Sequence, residues 1–153
     1  MAAKVFFLRT TDKEDDSAVA KRLKQAVRRL DLFSFIGARD MVAVKTHFGE
    51  RNSNGYVRPL YLKTLGEQIK HRQAIPFLTE TSTLYRGQRS NAVDHLRLAH
   101  EHGFTLEKTG MPIIMADGLR GDEEIEVVIP GQLYRSVKIA SLIARAHALV
   151  VIS

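Results

Sequence analysis

The 153-residue chain contains no cysteine. Within its own residues this excludes disulfides, thiolate metal sites, cysteine nucleophiles and cysteine-held iron–sulfur clusters. No apolar run approaches the roughly 18–20 residues needed to span a bilayer. The stretch MAAKVFFLRTTDKEDD lacks a signal-peptide shape, because its apolar part, Val5–Leu8, is short and a charge cluster follows it. A cytoplasmic protein with no membrane partner is the expectation. Standard motifs are missing too: no G-x-x-x-x-G-K-S/T phosphate loop, no G-x-G-x-x-G fingerprint and no G-x-S-x-G elbow occurs. Nucleotide binding therefore has no standard motif behind it. None of the six histidines forms an i, i+4 pair that would place two imidazoles on one helix face.

What is present is ordinary soluble composition, 44% hydrophobic and 26% charged, in a length that suits one domain with a real core. The net charge of +6 invites a nucleic-acid reading. The basic residues are spread out, however. Lys21, Arg22, Lys24, Arg28 and Arg29 share the polar side of one predicted helix, where a solvated face is the simpler account. Nucleic acid is not the expected partner.

The chain alternates strand and helix signals. Lys4–Leu8 reads as a strand, and Asp16 or Ser17 can cap a helix with apolar positions Val19, Leu23, Ala26, Val27 and Leu30. Met41–Thr46 is a second strand, and Pro59 opens a helix to about Arg72 with Tyr61, Leu62, Leu65 and Ile69 inward. Ile75–Thr79 is a third strand. Ser90 or Asn91 caps a helix that buries Val93, Leu96 and Ala99 and stops at Gly103. Pro112–Met115 and Ile125–Ile129 read as further strands, about Ser136–Ala146 as a helix, and Ala148–Ile152 as a fully buried central strand. The pattern predicts a single α/β domain over 1–153, Rossmann-like, its mostly parallel sheet covered by helices on both faces. A buried strand at the end of the sequence leads to the expectation that the natural reading frame continues.

Two strands run straight into dense polar segments, Lys45-Thr46-His47-Phe48-Gly49-Glu50 and Thr79-Glu80-Thr81-Ser82-Thr83. Ligands of open α/β sheets bind at such strand ends. Lys45 lies in an apolar strand and needs a partner or a purpose: either it pairs with Glu80 or it points at an anionic ligand. His47 and Glu50 share one loop, which suits proton transfer, whereas two ligands without a third are a weak metal signal. Thr81 and its neighbouring hydroxyls can cap the next element or bind a phosphate or carboxylate. Arg86 and Arg89 can hold an oxyanion, and Asp117 and Arg58 add a carboxylate and a guanidinium near the same rim. Lys45, His47, Arg58, Glu80, Arg86 and Asp117 together would line a mixed-charge crevice with a basic bias.

At KTHFGE, Tyr56-Val57-Arg58-Pro59, TETSTLYRGQRSNAVDHL, the HGF of 102–104, PIIMADGLRG and the closing 148–153 strand, the sequence resembles the family called domain of unknown function 362. Members are often described as iron–sulfur-centre proteins. The resemblance implies that this chain corresponds to the N-terminal α/β part of a longer architecture whose later, ferredoxin-like part carries cysteines for iron–sulfur clusters. It implies no cofactor held within this chain and a ferredoxin-like module or electron carrier as a partner. A distant similarity to the α/β domain of nickel-pincer lactate racemases is analogy alone.

The expected function is thus that of an α/β domain of an iron–sulfur-associated redox protein, binding a small anionic ligand at the C-terminal ends of its strands. Lys45 and Arg86 are the expected anion contacts, with Arg58, Thr81 and Arg89 beside them. His47, with Lys45, is the candidate for catalysis, and Glu80 and Asp117 orient the basic groups. Two alternatives stand: a non-catalytic basic binding module for nucleic acid or protein, and an isomerase-like enzyme acting on a small carboxylic acid. Whether the chain is an enzyme is left open.

Overall fold

The computed structural model describes residues 4–11 and 13–153. Its elements are α1 (Asp16–Arg29), β1 (Met41–Thr46), α2 (Pro59–His71), β2 (Ile75–Thr79), α3 (Ala92–Glu101), α4 (Leu106–Thr109), β3 (Glu124–Val128), β4 (Ser136–Ala140), α5 (Ser141–Arg145) and β5 (Ala148–Ile152). β1 lies between β2 and β5 and pairs in parallel with both, Lys45 standing opposite Thr79 on one side and Val151 on the other. Val42 and Val44 turn to one face and meet Leu62, Leu65 and Ile69 of α2, Val27 of α1 and Leu78 of β2 in the main core. Two residues apart on a strand share a face, so Ala43 and Phe77 turn to the other. There Phe77 borders a cavity of about 350 Å³ together with Leu142 and Ala146, at the short α5. The result is the expected α/β arrangement, a parallel sheet with helices against it. No described helix is long and apolar enough to cross a membrane.

Several local expectations hold to the residue. β1, β2 and β5 occupy the predicted spans, Pro59 is the first residue of α2, and Asn91 caps α3 by accepting from Asp94 N–H at 3.0 Å. The cap of α1 falls one position earlier than expected, on Asp15, whose carboxylate accepts from Ala18 N–H at 2.7 Å.

Other expectations are corrected. Lys4–Leu8 forms no strand: it pairs with nothing among the described residues, and Val5 and Phe7 are 90% and 89% exposed. In α3 the inward stripe is Ala92, His95, Leu98 and Ala99, while Val93 faces solvent. Pro112–Met115 makes only a parallel bridge, Ile113 opposite Leu78, although Leu78 N–H donates to Pro112 and Ile114 N–H to Leu78. It extends the sheet beyond β2 without a full ladder. The strand near 125–129 joins no parallel sheet; β3 pairs antiparallel with β4 in a separate ribbon. Half of the helix expected at 136–146 is therefore strand, because Val137 and Ile139 stand opposite Val127 and Ile125, and such apolar cross-strand pairs stabilise a ribbon. Finally, β5 is an edge strand rather than a buried centre, with Leu149 and Val151 41% and 60% exposed.

Candidate functional site

The loops after β1 and β2 meet above the strand ends. The β1 loop is held by aromatic packing: His102, at the end of α3, stacks on Tyr56 at 4.6 Å and contacts Phe48 O through Nδ1 at 2.7 Å. A carbonyl can only accept, so Nδ1 carries the proton. Gly49 sits inside this clamp with φ +95°, and a β-carbon there would lie 2.5 Å from Tyr56 and 2.7 Å from His102. Only glycine fits both the backbone conformation and the space.

Lys45 and Glu80 pair at 2.7 Å, one of the two alternatives open from the sequence. Glu80 is buried and also accepts from Thr81 N–H at 3.0 Å, so Thr81 contributes its backbone. Asp117 is buried as well. Its Oδ2 accepts from Ser82 N–H at 2.6 Å, which ties the loop after Met115 to the β2 loop. Gly121 completes the junction with φ +76°, where a β-carbon would meet Ser82 Cβ at 2.7 Å.

His47 and Arg89 form the centre. Gly49 N–H donates to His47 Nδ1 at 2.8 Å, which places the proton of the neutral ring on Nε2. Arg89 Nη1 nevertheless lies 2.7 Å from that Nε2. Two donors thus face each other, and the acceptor of Nη1 is Glu50 Oε1 at 2.5 Å. Glu50 also accepts from Tyr85 OH, and this hydrogen bond, with the charge of Arg89, holds its carboxyl below the ordinary range against the effect of burial. The same bond raises the Tyr85 hydroxyl. Four buried side-chain atoms around these groups have no hydrogen-bond partner among the described residues: Arg89 Nε, Ser82 Oγ, Asp117 Oδ1 and Gln88 Oε1.

Arg86 and Arg58 do not join the others. Thr83 N–H donates to Arg89 O, closing the loop so that Arg89 turns inward while residues 84–87 project outward with Arg86 exposed. Arg58 pairs with Asp16 of α1 at 3.6 Å and lines a separate hollow with Tyr61 and Ile152, on the β5 side. In place of the single crevice expected from the sequence, the contacts form three groups at the strand ends: Lys45, Glu80 and Thr81; Asp117 and Ser82; and His47, Arg89, Glu50 and Tyr85.

His95 lies on the inward face of α3, where the sequence pattern predicts Val93, Leu96 and Ala99. It is fully buried against Phe48 at 5.6 Å, neither ring nitrogen has a hydrogen-bond partner among the described residues, and burial, aided by the charge of Arg89, pushes its pKa down to about 4. Its place in the helical stripe, in phase with Ala92 and Ala99, is the signal that marks it as inward.

The parallel three-stranded sheet with helices against it places the chain in the class of open α/β domains. Within that class, the family model described as domain of unknown function (DUF362) matches residues 42–153, and the chain belongs to this family. No curated protein and no solved structure matches the chain. The iron–sulfur cluster associated with the family by resemblance does not fit this chain's residues. There is no cysteine, and among the described residues no group of three or more His, Asp or Glu is placed to hold a metal ion.

Proposed function

We propose that this chain is an anion-binding α/β domain whose site is the strand-end cluster around Arg89. One observation carries this reading: a buried arginine with its Nε donor unpartnered and its Nη1 directed at a nitrogen that already bears a proton. Buried donors without acceptors cost about 1–3 kcal/mol each, more when charged. An anion inserted between Arg89 and His47 supplies acceptors to both, and Ser82 Oγ adds a hydroxyl donor. Lys45, partly exposed at the end of β1, contributes charge, while Glu80 holds Lys45 and Asp117 fixes the β2 loop. His47 Nε2 and the Arg89 guanidinium then both present N–H groups to the anion. The redox association rests on the family resemblance alone, and any iron–sulfur chemistry belongs to a partner of this domain.

Calorimetric titration with inorganic phosphate and with acetate tests the reading. At least one anion should bind the wild-type chain, and Arg89→Lys and Lys45→Gln, each checked for folding by circular dichroism, should weaken it tenfold or more, about 1.4 kcal/mol. If neither anion binds, or if both folded variants bind like wild type, the cluster is structural only.

A further inference from the structure

Arg89 and its carboxylate are held in very different ways. The Arg89 side chain is only 8% exposed, and its one anionic partner among the described residues is Glu50, whose Oε1 lies 2.5 Å from Nη1. Glu50, by contrast, keeps 45% of its side chain in water. Its other hydrogen bond comes from Tyr85 OH, and Tyr85 is itself 56% exposed on the outward loop 84–87. The Glu50 backbone is fixed on both sides. Gly49 sits in the Tyr56–His102 clamp, and Glu50 O accepts from Ser53 N–H at 3.0 Å. The cation is therefore buried in place, whereas the carboxylate can leave by rotation about its own side-chain bonds.

Building on the anion-binding reading of this site, we propose that Glu50 is a resident carboxylate that an incoming phosphate group displaces from Arg89.

Two physical constraints lead to this exchange. A buried guanidinium stripped of its counter-charge is strongly destabilising. Glu50 thus occupies Arg89 in the free chain and departs only as another anion arrives, already half in water and able to complete its hydration there. The second constraint sorts ligands. A monocarboxylate replaces Glu50 by a group of the same charge, so its net gain at Arg89 is small. A phosphate group carries more than one negative charge at neutral pH and several strong acceptor oxygens. It outcompetes a carboxylate at Arg89 Nη1 while also accepting from His47 Nε2, 2.7 Å away. Glu50 therefore sets the threshold that a ligand of this site must exceed.

Calorimetric titration of the full chain with inorganic phosphate and with acetate tests the exchange, in slightly alkaline buffer where phosphate is mainly dianionic. The forms compared are wild type, Glu50→Gln, Glu50→Asp, and each Glu50 variant combined with Arg89→Lys, all checked for folding by circular dichroism. Asp keeps the charge but loses one methylene, and the clamped backbone cannot follow it toward Arg89. Phosphate should bind both single variants about tenfold or more tighter than wild type, because one charged hydrogen bond no longer has to be broken. Adding Arg89→Lys should abolish that gain, and wild type should prefer phosphate to acetate. Phosphate binding that depends on Arg89 but is no tighter in either Glu50 variant would overturn the exchange and leave the anion site standing. Tightening in Glu50→Gln alone would also sink it, by assigning the effect to net charge rather than to displacement. Acetate binding wild type as tightly as phosphate would refute the ligand class. Binding of neither anion to any form would remove the anion site itself, and the exchange with it.

Discussion

The Lys45–Glu80 pair offers the sharpest quantitative test, because its partners are unequally buried: 31% of the Lys45 side chain is exposed but only 5% of Glu80. Lys45→Met leaves Glu80 as a buried carboxylate with one remaining hydrogen bond, from Thr81 N–H. Removing one partner of a buried pair costs about 3–5 kcal/mol, and the retained bond places this variant near 3 kcal/mol. Glu80→Gln leaves an ammonium that water still reaches and keeps an acceptor for Thr81, so about 1–2 kcal/mol is expected. The double variant strands neither charge. It should cost about 1–2 kcal/mol in total, well under the sum of the single changes, with a coupling energy of about 2 kcal/mol or more. Urea unfolding measures all three, provided the dependence on denaturant is unchanged between variants. In a chain of this size each kcal/mol moves the melting temperature by about 2–4 °C. Glu80→Gln proving more damaging than Lys45→Met, or the two effects adding within about 0.5 kcal/mol, would refute the assignment of burial and pairing.

Two further outcomes follow from the loop clamp and the buried imidazole. Gly49→Ala combines a left-handed backbone with contacts of 2.5 and 2.7 Å to Tyr56 and His102, and should cost about 2 kcal/mol or more. Gly55→Ala meets only Ser53 Oγ at 3.6 Å and should stay within about 0.5 kcal/mol, so equal effects in urea unfolding would contradict the clamp. His95 is held neutral in the folded chain down to about pH 4, against an ordinary pKa of 6.5. The unfolded chain takes the proton first, so this contribution to stability is complete above pH 6.5 and declines as pH falls toward 4. The loss should reach about 3 kcal/mol at pH 4. His95→Phe should flatten that slope in a pH series of unfolding curves; an unchanged slope would place the titration elsewhere.

Much of the fold is legible in local sequence. The apolar runs Met41–Val44 and Ile75–Leu78 between polar loops have one good solution, a buried parallel strand, and Pro59 and Asn91 mark helix starts because their backbone and side-chain chemistry suits only that position. The association of Lys45 with Glu80 is legible too, since adjacent parallel strands bring corresponding ends together. Residues 136–140 mislead because Val, Lys and Ile in alternation fit either a short helix or a ribbon, and only the opposing Ile125 and Val127 select the ribbon. Among the arginines, sequence spacing cannot separate Arg86 from Arg89. The Thr83–Arg89 backbone bond turns one outward and the other into the cluster.

Sequence alone thus determined where β1, β2 and β5 lie, that the ends of β1 and β2 carry polar residues, and that no thiolate can act within these residues. Tertiary structure decided which of those polar groups meet. Arg58 went to α1, Arg89 to His47 and Glu50, and Asp117 to Ser82, while β5 took an edge rather than the centre. The physical reason is range. Strand and cap preferences arise within a few residues of chain, whereas ion pairs, loop closure and strand order depend on packing between segments distant in sequence.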